Sequence, residues 1–227
     1  MNLNVLKPKQ AVESCFEKPN PAIAFVLVLV ASIISFAQPL VIGVQPKLEN
    51  LLLGIIVPGY VYFVLLVVII YVIGFIFKGK EAVKGKFGAI VSAVGLMWVP
   101  IIVALLVLTA AIPFILTPLT VGIMQDLASG KITGEMAEIE IAYLVGKNSE
   151  AVGNDLFAYI AMGSDELVNY NVLVPVMIIF GLIGLFNLLL LYKIVGKVFQ
   201  FKPVANIVAM LVVLAILGIS INLIPMV

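Results

Sequence analysis

The chain has 227 residues, of which 63% are apolar and 11% charged, with a mean hydropathy of +1.26. An ordinary soluble domain carries roughly 45–50% apolar and ~25% charged residues, so a soluble monomer is excluded and an integral membrane protein is expected. There is no His, no Arg and a single Cys, and 13 lysines against 12 acids leave a net charge of +1. That composition excludes an intramolecular disulfide, a Cys/His zinc cluster and a histidine base, and it gives no sign of a nucleic-acid partner.

In chain order, the first predicted element is an amphipathic helix. Pro8 suits a first helical turn, and Ala11, Val12, Cys15 and Phe16 share a face opposite Lys9, Glu13 and Glu17. Such a face is expected to rest on the inner leaflet. Pro19 to Pro46 carry no charge, and residues 21–44 would extend about 36 Å as a helix, enough for span one. Ser35-Phe36-Ala37 has small-x-small spacing, but acids precede the apolar run and it exceeds a signal core, so it is read as a span. The second uncharged stretch, residues 51–77, is span two, with Pro58 expected to bend its outer third.

Residues 87–125 carry no charge, more than one crossing needs and too little for two plus a turn. Span three is placed at 87–109, and Pro113 and Pro118 are expected to hold 110–124 at the interface or in a shallow re-entry. The loop 125–171 is acidic, with Asp126, Glu135, Glu138, Glu140, Glu150, Asp155, Asp165 and Glu166 against Lys131 and Lys147. Helical spacing of Met136, Ile139 and Tyr143, and of Leu156, Phe157 and Ile160, predicts two short helices there. Residues 168–192 and 204–226 are spans four and five. The expected fold is thus an all-α integral membrane protein. One domain, 1–227, forms a bundle of five transmembrane helices with an acidic helical outer loop between spans three and four.

Lysine positions orient this bundle, because short cytoplasmic loops are enriched in basic residues. Lys7, Lys9 and Lys18, then Lys78, Lys80, Lys84 and Lys86, then Lys193, Lys197 and Lys202 fall on one side; Lys47, Lys131 and Lys147 fall on the other. The N-terminus is therefore expected in the cytoplasm and the C-terminus outside the cell membrane. Lysines of the second and fourth loops (Lys78, Lys80, Lys84, Lys86, Lys193, Lys197 and Lys202) are candidate contacts for anionic lipid headgroups.

The spans hold no formal charge. A proton-coupled transporter or an intramembrane aspartyl protease needs a buried acid, and serine or metalloprotease chemistry of the familiar kinds needs His. No catalytic, cofactor or metal-binding residue is assigned, and the expected partners are membrane lipids and other membrane proteins. Candidate intramembrane polar or cavity residues are Asn187, Trp98, Pro100, Ser92, Gln38 and Asn206. Asn187 is read either as interhelical glue or as the mark of a polar cavity. Pro100 cannot donate to the Leu96 carbonyl, so span three is expected to bend near Trp98 toward spans four or five, with Asn187 as donor. Gly88 with Ser92, Ala89 with Ala93 and Ala205 with Ala209 have the small-xxx-small spacing of close helix seams.

Three segments carry a family resemblance: VLKPKQAVESCFEKPNPAIAFVLVLV, KGKFGAIVSAVGLMWVPIIVALL and LLLLYKIVGKVFQFKPVANIVAML. In order, they resemble the amphipathic entry, the glycine-rich lead into the third helix and the polar link between the last two helices of the Yip domain family, the Ypt-interacting-protein membrane proteins. The short N-terminal region and large acidic outer loop set the chain apart from eukaryotic members and imply a prokaryotic-type member. The resemblance implies a non-enzymatic multi-pass protein that organises membrane or partner proteins. The alternative is a transporter or channel for a small or lipid-like substrate, using an uncharged cavity near Asn187 and Trp98.

Overall fold

The computed structural model describes residues 6–45, 56–134, 136–137 and 168–223, with the side chains of all but 81, 82 and 219–223. Most of the expected outer loop lies outside the described residues, including Glu135, Glu138, Glu140, Glu150, Asp155, Asp165 and Glu166. So do 51–55 at the start of expected span two and 224–226 at the end of expected span five.

The described residues are helical and hold no strand; Leu116 and Val168 form one isolated antiparallel bridge. The helices are α1 (Pro8–Glu17), α2 (Pro21–Ala37), α3 (Val57–Lys78), α4 (Lys80–Val83), α5 (Phe87–Leu96), α6 (Trp98–Ile115), α7 (Pro118–Ala128), α8 (Tyr170–Phe199) and α9 (Pro203–Leu223). A 3-10 turn, Gln38–Ile42, follows α2. Four helical stretches are long and apolar enough to cross a membrane: Pro21–Ile42, Val57–Lys78, Phe87–Ile115 and Tyr170–Phe199. Their outward sides carry large apolar groups, such as Met177, Leu182 and Leu185 on α8, each more than half exposed and suited to hydrocarbon rather than water.

Two compact units divide the chain. The first takes Met1–Phe36, Lys47–Leu105 and Gly181–Val227; the second takes Ala37–Pro46 and Leu106–Phe180. In the first, α1 lies against α5 and α3 against α5 and α9. Lipid tails are as apolar as Leu, so close backbone approach and hydrogen bonds, rather than a hydrophobic drive, hold such helices together. At Gly95 an added Cβ would lie 2.6 Å from the Cα of Ala24, so only glycine permits this α2–α5 contact. Along the same face of α5, Ser92 Oγ accepts from Asn20 N (2.8 Å) and donates to Gly88 O (2.8 Å). The small residues of α5 therefore form an internal seam. Gly74 plays the same part in α3, where a Cβ would lie 2.8 Å from Val83 and 3.0 Å from Phe199.

One sequence expectation is corrected here. The apolar face of α1 does not rest on a leaflet: Ala11 and Cys15 are fully buried and Val12 nearly so, within the core of the first unit and against α5. Burial beside the small residues of α5 offers closer packing than headgroups do. Pro58 is the second residue of α3 as described, and Ile56 before it already has helical backbone (φ −68°, ψ −50°). The bend expected at Pro58 involves residues 51–55, which lie outside the described residues.

In the second unit, Ile115, Ile123, Ala137, Val168 and Val176 make a small core of their own. α6 continues six residues past the expected limit at Thr109, through Pro113 to Ile115, before Thr117 caps α7 by accepting from Thr120 N at 3.4 Å with Pro118 behind it.

Candidate functional site

Span three is not one uninterrupted helix. α5 ends at Leu96, Met97 N donates to Val94 O at 3.0 Å in a tightened turn, and α6 begins at Trp98. Pro100, buried in the first turn of α6, has no N–H to offer the Leu96 carbonyl, which accounts for the break. Leu96 is fully buried and Trp98 half-buried, so the break looks inward.

Beside it lies a half-open cavity of about 390 Å³. Pro58, Gly59, Tyr62, Phe63 and Leu66 of α3 form one wall, Met97, Trp98 and Ile101 another, and Leu191 of α8 with Leu214 and Leu217 of α9 complete it. Among the described residues no charged group lines it, and the Tyr62 hydroxyl and the Trp98 indole N–H are the polar side-chain groups of its lining. Its size is that of a small-molecule site, roughly 300–1,000 Å³. Water entering so apolar a space would find few of the two to four partners it needs, so the cavity suits hydrocarbon. Gly59 holds α3 close to α2, since a Cβ there would stand 3.0 Å from Ser32 Oγ, and the Tyr60 hydroxyl donates to Phe25 O at 2.9 Å.

The other sequence-derived candidates do not gather at this cavity. Asn187 is not among its lining residues and makes no hydrogen bond to Leu96 among the described residues; its Oδ1 is buried without a partner. Ser92 is satisfied within the α5 seam. Gln38 belongs to the second unit, in the 3-10 turn, with Nε2 buried and without a partner among the described residues. Asn206 sits on the first turn of α9, donating from Nδ2 to Tyr192 O at 2.9 Å while its Oδ1 has no partner among the described residues.

Among the lysines, Lys78 Nζ stands 4.7 Å from the centre of the Phe201 ring, a cation–π contact that ties the end of α3 to the α8–α9 link. Lys193 Nζ stands 5.5 Å from the Tyr192 ring. Lys80, Lys84, Lys197 and Lys202 are exposed and Lys86 is half-buried.

Sequence reasoning missed Gln125, whose Nε2 donates to Ile42 O at 2.6 Å within the second unit. Gly43 makes room for it, with φ of 76° and a Cβ position 2.9 Å from that nitrogen. The glycine directly after an apolar run was the available signal. The chain matches no known family, no curated protein and no solved structure.

Proposed function

We propose that this chain is a non-enzymatic, multi-pass protein of Yip type in the cell membrane, which organises the bilayer around it by holding a lipid chain beside Trp98. In this reading α9, 21 residues long and apolar, is the fifth span, the lysine-rich end is cytoplasmic and the C-terminus is outside. The observation that carries the proposal is the half-open cavity of about 390 Å³ against the Met97 break, with no charged lining residue among the described residues. Lipid hydrocarbon is the apolar material at hand to fill such an opening in a bilayer. The three Yip-like segments support the family reading, and the Lys78–Phe201 contact supports placing the second and fourth loops on one side.

A transporter or channel for a small or lipid-like substrate remains the second reading, favoured by the unpartnered Oδ1 of Asn187 on α8. The test uses Trp98, the one tryptophan of the chain. Phospholipid brominated on its acyl chain, added to the full-length protein in detergent, should quench Trp98 saturably. Leu214→Phe, which adds bulk to the lining, should remove the saturable component. Quenching that only follows bulk bromolipid, with Leu214→Phe without effect, would end the lipid-holding reading, and vesicle flux of a lipid-like solute would favour the second.

A further inference from the structure

At the lysine-rich end of the first unit a separate cleft of about 250 Å³ opens between α1, the end of α8 and the start of α9. Lys9 and Glu13 of α1, Lys193 and Lys197 of α8 and Asn206 of α9 line it, with Tyr192 beside them. Three cations face one carboxylate, and no ion pair joins them among the described residues. The cleft is therefore net positive.

Asn206 is the unusual member. It is only 3% exposed, and its Nδ2 donates to Tyr192 O at 2.9 Å, which fixes the amide because a carbonyl accepts only from nitrogen there. Its Oδ1 is buried with no partner among the described residues. Gly196 leaves space for this arrangement, since a Cβ there would lie 2.9 Å from Asn206 Nδ2. A buried amide oxygen without a donor is costly, and a ligand that supplies one recovers that cost.

We propose that this cleft binds a phosphate ester of a polyol, with Lys9, Lys193 and Lys197 on the phosphate and Asn206 Oδ1 and the Glu13 carboxylate accepting from its hydroxyls. The chemistry follows from the lining. Excess positive charge selects a net anion. A bare phosphate would set its oxygens against two further acceptors, whereas an ammonium-bearing headgroup would be opposed by the lysines. A neutral hydroxyl next to a phosphate satisfies both sets. Two sources carry this chemistry: a phosphoglycerol-type or phosphoinositol-type lipid headgroup, and a soluble sugar or glycerol phosphate. The site is independent of the Trp98 cavity, and only its assignment to the cytoplasmic face rests on the orientation proposed above.

The test is lipid retention on the full-length protein in detergent, read by native mass spectrometry. The probes are phosphatidylglycerol, phosphatidylmethanol (the same charge without the hydroxyls) and phosphatidylcholine, with matched chains. Phosphatidylglycerol should be held on the order of tenfold better than either. Lys193→Gln with Lys197→Gln should lower retention of both anionic lipids by on the order of tenfold. Asn206→Val should erase the preference for phosphatidylglycerol over phosphatidylmethanol, and Glu13→Ala tests the same contact without touching α9. Retained burial of Cys15 and unchanged bromolipid quenching of Trp98 show each variant folded and the other cavity intact. Displacement by millimolar glycerol 3-phosphate assigns the site to the soluble ester; failure to displace assigns it to the lipid. Equal retention of the three lipids, or an unaltered preference in folded Glu13→Ala and Asn206→Val, overturns the proposal.

Discussion

Cys15 shows how one position in the sequence can carry two opposite meanings. Spacing put it on the apolar face of α1, which in isolation suits a leaflet; the fold puts it against α5, fully buried. Burial pushes its thiol up from the ordinary 9.0 to about 11, chiefly because the thiolate loses its water. Since the thiolate is the nucleophile, its fraction near pH 8 is about a hundredfold below that of an ordinary cysteine. Alkylation by a small neutral reagent should be slow in the folded protein at pH 8, should climb as the pH passes from 9 toward 11, and should become ordinary on unfolding. The linkage sign follows: with the folded value raised, this thiol's contribution to stability is present below pH 9 and is lost as the pH rises through that window. Fast reaction at pH 8 with the fold intact would mean that α1 is not seated on α5.

Among elements, the α2–α5 seam depends on close approach. Gly95→Ala would drive a methyl into the backbone of Ala24, and overpacking of this kind costs about 1–3 kcal/mol. Thermal unfolding in detergent should show that loss, Ala24→Gly should restore part of it, and Gly181→Ala, which meets open space, should leave stability unchanged or slightly raised. A neutral Gly95→Ala would remove the seam as a determinant of the fold. This element was legible beforehand, because small-xxx-small spacing at Gly88 and Ser92 encodes its own mechanism. So was the break near Pro100, since a proline's missing donor is a local property. Whether Asn187 finds a partner was not legible; among the described residues its Oδ1 has none. A polar side chain on an apolar helix announces that it needs a donor or acceptor, but which helix supplies one depends on rotations about helix axes that sequence periodicity leaves open.

For the molecule as a whole, long uncharged runs located the four helices able to cross a membrane, because hydrocarbon thickness imposes a length. The cleft lined by Lys9 and Asn206 was not foreseeable, since it joins residues nearly two hundred positions apart. Orientation is testable directly, but not at the buried Cys15. With Cys15→Ala as background, a membrane-impermeant maleimide applied to intact cells should label Ser129→Cys and spare Gln200→Cys, both exposed positions. The reverse pattern would invert the topology. The seating of α1 also bears on how the chain is made. The Asn20 N–H reaches its acceptor on Ser92 72 residues later, and at roughly 5–20 residues per second that acceptor is synthesised about 4–14 s afterwards. Through that interval α1 has no α5 to cover it, and the nascent membrane surface or a chaperone must shelter the face holding Val12 and Cys15. A chain stalled before α5 would display that face, giving quality-control proteases a signal that the finished protein hides.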